Sequence, residues 1–197
     1  MKKRTIVDLL LIFGLLVLLI FLGRKDYNVD KTKDNKRFDK DYSMVSKDNV
    51  FKYIDGEQVL NILDSDGIIF MAFKENEWSN YYANILNTSA KNIGIEEISY
   101  YDFLADRNKK SVDYQKIIEK MKNHLKKNDM DEVNLNAPCL VVVKNGTIFA
   151  YDDETSFNDA TVLPKDYWNE ERTQSKLQQF NIIFTAYMGG SIDGGEE

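Results

Sequence analysis

"NAPCLVVVKNGTIFAY", residues 136–151, reads as a β-hairpin. Cys139 to Val143 is an unbroken apolar run, Thr147 to Tyr151 is a second strand, and Asn145-Gly146 between them tolerates positive φ. At its head stands Pro138, one of two prolines in 197 residues, directly before the chain's single cysteine, Cys139. Two roles are open to that thiol. It is a nucleophilic or redox centre, or a small hydrophobe at the start of a buried strand. The choice turns on what lies about sixty residues upstream.

Upstream, strands and helices alternate. "VFKYI" (50–54) is a short strand, and "DGEQVLNILDSD" spaces Val59, Leu60, Ile62 and Leu63 for a short helix. "GIIFMAF" (67–73) is continuously apolar, as a strand buried on both faces requires. Residues 77–93 set Tyr82, Ile85, Leu86, Ser89, Ala90 and Ile93 along one helical stripe, and "EEISYYDF" (96–103) is a second central strand. Residues 111–128 place Val112, Tyr114, Ile117, Ile118, Met121 and Leu125 on one side, with His124 beside them as a surface residue. After the hairpin, a helix opens at Pro164, buries Leu177, Phe180, Phe184 and Tyr187, and ends at a glycine pair. The order β-α-β-α-β-α-β-β-α predicts an α/β domain with a mostly parallel core and an antiparallel edge. "YDDETS" (151–156) reads as a solvated hairpin end rather than a cation loop.

The remainder of the chain is of a different kind. "MKKRTIVDLLLIFGLLVLLIFLGRKD" has a basic start and a run from Ile6 to Gly23 that is apolar except for Asp8. Eighteen residues at 1.5 Å rise nearly span a bilayer core of about 30 Å. The junction offers no small-residue cleavage site and no lipoprotein cysteine, so an uncleaved signal anchor fits best. Lys2, Lys3 and Arg4 then stay cytoplasmic and the rest lies outside. Residues 24–48 alternate charge with little apolar content and read as a flexible tether, spanning roughly 25–30 Å root-mean-square. The expected plan is a cytoplasmic start (1–5), an anchor (6–23), a linker (24–48), a folded domain (49–190) and a polar tail (191–197). A net charge of −6, with both signs interleaved, argues against a nucleic-acid surface. One cysteine and one histidine exclude a disulfide framework and leave little for a metal, and no cofactor is implied. "FKENEW" after the first buried strand is no phosphate-binding loop.

Three segments, "GIIFMAFKENEW", "NYYANILNTSAKNIGIEEISYYDF" and "NAPCLVVVKNGTIFAY", together resemble the thioredoxin-like fold over about residues 50–188. The likeness is to small bacterial thioredoxin-like proteins, including bacteriocin transport accessory proteins. Such proteins carry a Cys-x-x-Cys pair after the central strand and a cis-proline before the hairpin. The resemblance therefore implies a cis peptide bond at Pro138. It also sets Asn76, Glu77, Trp78 and Ser79 where the redox motif stands, with Asn76 and Ser79 replacing the two cysteines. Thiol–disulfide exchange needs an attacking thiolate, so dithiol oxidoreductase activity is expected to be absent. Asparagine is a strong helix N-cap and Glu77 suits the positive helix end. Two readings of this surface stay open: a capped helix start with no ligand, or a docking surface. In the second, an exposed Trp78 and the free backbone of Ala137 before Pro138 receive an extended protein or peptide partner. The function expected is a membrane-anchored, extracytoplasmic, non-enzymatic accessory module. The alternative is a thiol-dependent enzyme using Cys139 alone.

Overall fold

The computed structural model describes Phe13 and residues 32–127, 133–154 and 161–189. Residues 32–41 form helix α1. There follow β1 (Phe51–Tyr53), α2 (Gly56–Leu63), β2 (Gly67–Ala72), α3 (Glu77–Ile93), β3 (Ile98–Asp102), α4 (Leu104–Lys109) and α5 (Val112–Met121). The hairpin β4 (Cys139–Lys144) and β5 (Thr147–Asp152) comes next, then α6 (Pro164–Tyr167) and α7 (Glu170–Tyr187). The expected alternation holds, with α1, α4 and α6 as additions to it.

The five strands form one mixed sheet in the order β1-β3-β2-β4-β5. β1, β3 and β2 are parallel, and β4 and β5 add an antiparallel edge. Strand alternation divides the interior in two. Phe51, Phe70, Tyr100, Leu140 and Val142 face α1, α3 and α7, while Ile69, Met71, Tyr101, Val141 and Val143 face α2 and α5. β2 lies between β3 and β4 and is covered on both sides, which is why it reads as an unbroken apolar run. At the hairpin, Asn145 (φ 52°) and Gly146 (φ 67°) make the turn in the left-handed region, as their identities allow. α3 stops at Gly94, whose φ of 83° is a left-handed cap that its missing side chain tolerates.

Residues 32–48 correct the sequence reading. They pack, where a free tether was expected. Phe38 and Tyr42 are fully buried and Val45 nearly so, the rings of Phe38 and Phe51 lie 4.0 Å apart, and Tyr42 and Tyr100 share a buried hydroxyl bond of 2.8 Å. Asp34 of α1 accepts a bond from the Tyr53 backbone N–H (3.2 Å), which caps the outer edge of β1. Buried Asn49 ties the return loop, donating to Asn35 O and Ser46 O and accepting from Phe51 N–H. The anchor expected at 6–23 lies outside the described residues apart from Phe13, as do residues 24–31. Among the described residues no helix is long and apolar enough to cross a membrane.

Candidate functional site

β2 runs out at Ala72 and the chain turns through residues 73–75 to Asn76, the N-cap of α3. The cap is extended (φ −94°, ψ 111°), and Asn76 Oδ1 accepts the Trp78 backbone N–H at 2.9 Å. The other end of the same carboxamide donates from Nδ2 to the carbonyl of Ala137 at 3.0 Å. Ala137–Pro138 is a cis peptide bond, as the resemblance implied. One side chain therefore bridges the two loops of the site. Ala137 is 8% exposed and its carbonyl is engaged, so its backbone is less free than the sequence reading required.

Trp78 is not an exposed loop residue. It is half-buried in the first turn of α3, with its ring edge-on to Tyr167 of α6 at 5.2 Å. Tyr167 is held in turn by Arg172 over its ring at 4.2 Å and by a hydroxyl bond to Glu154 at 3.2 Å. α6 thus packs over the start of α3. Glu77 is exposed in the first turn, where its charge favours the helix N-terminus. Ser79 is fully buried, and its hydroxyl is without a hydrogen-bond partner among the described residues.

Cys139 is fully buried at the head of β4, paired in register with Met71 of β2. Burial pushes its thiol well above the ordinary range, and the carboxylates of Asp153 and Asp152 push the same way. A reactive cysteine needs the opposite setting of exposure and positive charge. The described residues include no group of His, Cys, Asp or Glu arranged to hold a metal ion. No protein-family model matches this chain, and no curated protein matches it.

The acidic turn after β5 is where sequence reasoning missed most. Asp152 and Asp153 are 6% and 5% exposed, so the turn is not a solvated hairpin end. Lys176 of α7, itself almost completely buried, donates to Asp152 Oδ2 (2.7 Å), to Gln179 (2.7 Å) and to Glu154. Burial alone would raise Glu154; the bond and charge of Lys176 outweigh it and hold the carboxyl below its usual range. Asp153 pairs with Lys126 at 2.8 Å and accepts from Tyr151 at 3.2 Å. The signal available in sequence was a lysine one position before the apolar stripe of α7, opposite three consecutive acids. Removing one partner leaves a charge stranded, so Lys176→Met is expected to cost about 3–5 kcal/mol. Adding Asp152→Asn should recover part of that loss, read by urea denaturation.

Asn76→Ala removes both the cap and the bridge, and an expected loss of about 2 kcal/mol follows from a cap worth about 1 and a net hydrogen bond worth about 1. Asn76→Ser keeps the cap alone and should recover about half. Equal stability of all three proteins in urea would show that the bridge holds nothing.

Proposed function

We propose that this chain is a membrane-anchored, extracytoplasmic thioredoxin-like domain without its redox dithiol, acting as a non-enzymatic accessory module for a protein or peptide partner. The observation that carries this reading is Asn76. It stands at the head of α3 with both ends of its carboxamide used, one on the helix and one on the residue before a cis-proline. A side chain of that kind can order a site but cannot attack a disulfide. The strand order β1-β3-β2-β4-β5 and the cis-proline support the thioredoxin-like assignment. The burial of Cys139 speaks against the lone-thiol enzyme.

Alkylation tests the chemistry. In the folded protein at pH 8, Cys139 is expected to resist iodoacetamide and the chain to show no disulfide reductase turnover, with full labelling after unfolding. Rapid labelling of the native protein would overturn the non-enzymatic reading. Binding is tested with a photo-crosslinking amino acid in place of Glu77, exposed beside Trp78, and in place of Asn92 at the far end of α3. The expected result is a discrete adduct from position 77 that is lost with Trp78→Ala and absent from position 92.

A further inference from the structure

A cavity of about 230 Å³ lies between α6, α7 and the turn after β5. Tyr167 lines it and also meets Trp78, so the cavity borders the site. Its hydrogen-bonding capacity is unevenly spent. The carboxylate and carboxamide oxygens on its wall are engaged. Glu154 accepts from the Tyr167 hydroxyl at 3.2 Å and from Lys176, and Gln179 Oε1 accepts from Lys176 at 2.7 Å. Lys176 is spent as well, its three protons going to Asp152, Glu154 and Gln179. The remaining donors are not. Trp168 is 7% exposed, and its indole Nε1–H has no hydrogen-bond partner among the described residues. Arg172 lies over the Tyr167 ring at 4.2 Å and makes no ion pair among the described residues. The Nε2 protons of Gln179 are unused there too. A buried donor without an acceptor is a cost that folded proteins rarely carry. What this cavity lacks is an acceptor.

We propose that this cavity binds a carboxylate, carried by the protein segment that docks on Trp78. The proposal rests on the reading of the Asn76–Trp78 surface as a docking surface and gives its partner an anionic anchor. Shape and charge both select a carboxylate. A planar guanidinium pairs with one through two parallel N–H···O bonds. Asp152 balances Lys176, and Glu154 stands beside it, so Arg172 is the cation left to receive a ligand. It offsets a single negative charge. A doubly charged phosphate would meet Glu154 with only that cation to compensate. A neutral carbonyl would satisfy Trp168 but leave Arg172 without a counter-charge.

The indole N–H resonances of the two tryptophans test it, in the nitrogen-15-labelled full chain in detergent, with Trp78→Phe assigning the pair. The probes are N-acetylglycine, which carries a chain-terminal carboxylate, N-acetylaspartic acid amide, which carries a side-chain one, N-acetylglycine amide, which carries none, and inorganic phosphate, all at matched ionic strength. The expected result is a saturable downfield shift of Trp168 with a carboxylate below about 50 mM, the tighter of the two naming the source. Arg172→Gln should weaken it about tenfold, and Arg172→Lys, which keeps the charge but not the fork, should recover part. Arg172 is exposed, so both variants are expected to fold, which an undisturbed backbone spectrum verifies. No saturable shift from either carboxylate, an equal response to the amide, tighter binding of phosphate, or an Arg172→Gln protein that binds as well as the parent would each overturn the proposal. A saturable carboxylate shift in a chain that gives no adduct from position 77 would instead refute the docking partner while upholding the cavity, so the two failures are told apart.

Discussion

A chain shortened to begin at residue 49 is expected to lose cooperative unfolding, whereas one beginning at residue 32 keeps it. The shorter form lacks Phe38, Tyr42 and Val45, three side chains buried to 4% exposure or less. Truncating a buried aromatic costs about 3–5 kcal/mol. Two of them, a valine and the unpaired hydroxyl left on Tyr100 together remove about 8–12 kcal/mol. Whole domains are stable by about 5–15 kcal/mol, so the loss is of the same size as the fold's total. Near-ultraviolet circular dichroism and urea titration of the two forms distinguish the outcomes. Phe38→Ala in the longer form gives a second reading, with a loss of about 3–5 kcal/mol expected. If the form beginning at 49 unfolds with the same midpoint as its longer counterpart, α1 is ornamental and the packing argument fails.

Alkaline pH should unfold the protein between about pH 11 and 12. Tyr42, Tyr82 and Tyr100 are fully buried, and burial is the largest cause raising all three phenols well above their ordinary value of 10. A raised phenol stays neutral in the fold but ionises in the unfolded chain. Its stabilising contribution is therefore complete below about pH 10 and is lost as pH climbs toward the folded value. Each contributes a loss of about 1.4 kcal/mol per pH unit above 10, so the three together remove about 4 kcal/mol at pH 11 and about 8 kcal/mol at pH 12. Cys139, raised in the same direction, adds to the loss from about pH 9. Urea midpoints at pH 8, 10 and 11 measure the slope. Replacing Tyr42 and Tyr100 together by Phe removes both hydroxyls of a shared bond and should move the alkaline midpoint upward. A protein whose stability is flat to pH 11.5 would contradict the prediction.

Much of this architecture was legible because its elements obey simple periods. β2 announces itself as six apolar residues covered on both faces, α3 as a stripe from Tyr82 to Ala90, and the hairpin by Asn145-Gly146. α1 was hidden for a physical reason. Phe38, Tyr42 and Val45 are spaced i, i+4 and i+7, a helical stripe, but every neighbour of Phe38 and Tyr42 is charged or polar. Averaged over residues 24–48 the signal vanishes, while three large side chains against an aromatic sheet face suffice to dock the segment. The site was half legible. The cap role of Asn76 follows from its type and place, but its second bond, to Ala137 across 61 residues, is a tertiary fact. Sequence alone leaves Trp78 exposed because nothing local covers it; Tyr167, which does, comes from the far side of the hairpin. Lys176 gives no signal in sequence because a lysine belongs on a helix surface unless buried carboxylates await it, and Asp152 is such a partner.

Asp41 and Ser43 at the end of α1 lie against Lys74 and Asn80 at the start of α3, while Asp48 pairs with Lys91 at its end, and this has a further consequence for engineering. α7 ends at Tyr187, and Tyr187 and Met188 line the same shallow cleft as Gly94, Glu96 and Glu97 just beyond the end of α3. The beginning of α1 and the end of α7 therefore leave the domain on the same side. Such a chain suits circular permutation, with residues 32 and 189 joined by a glycine-rich loop and new ends opened elsewhere on the surface. A fluorescent protein appended after α7 would likewise sit on the side of Gly94, about the length of α3 from Trp78.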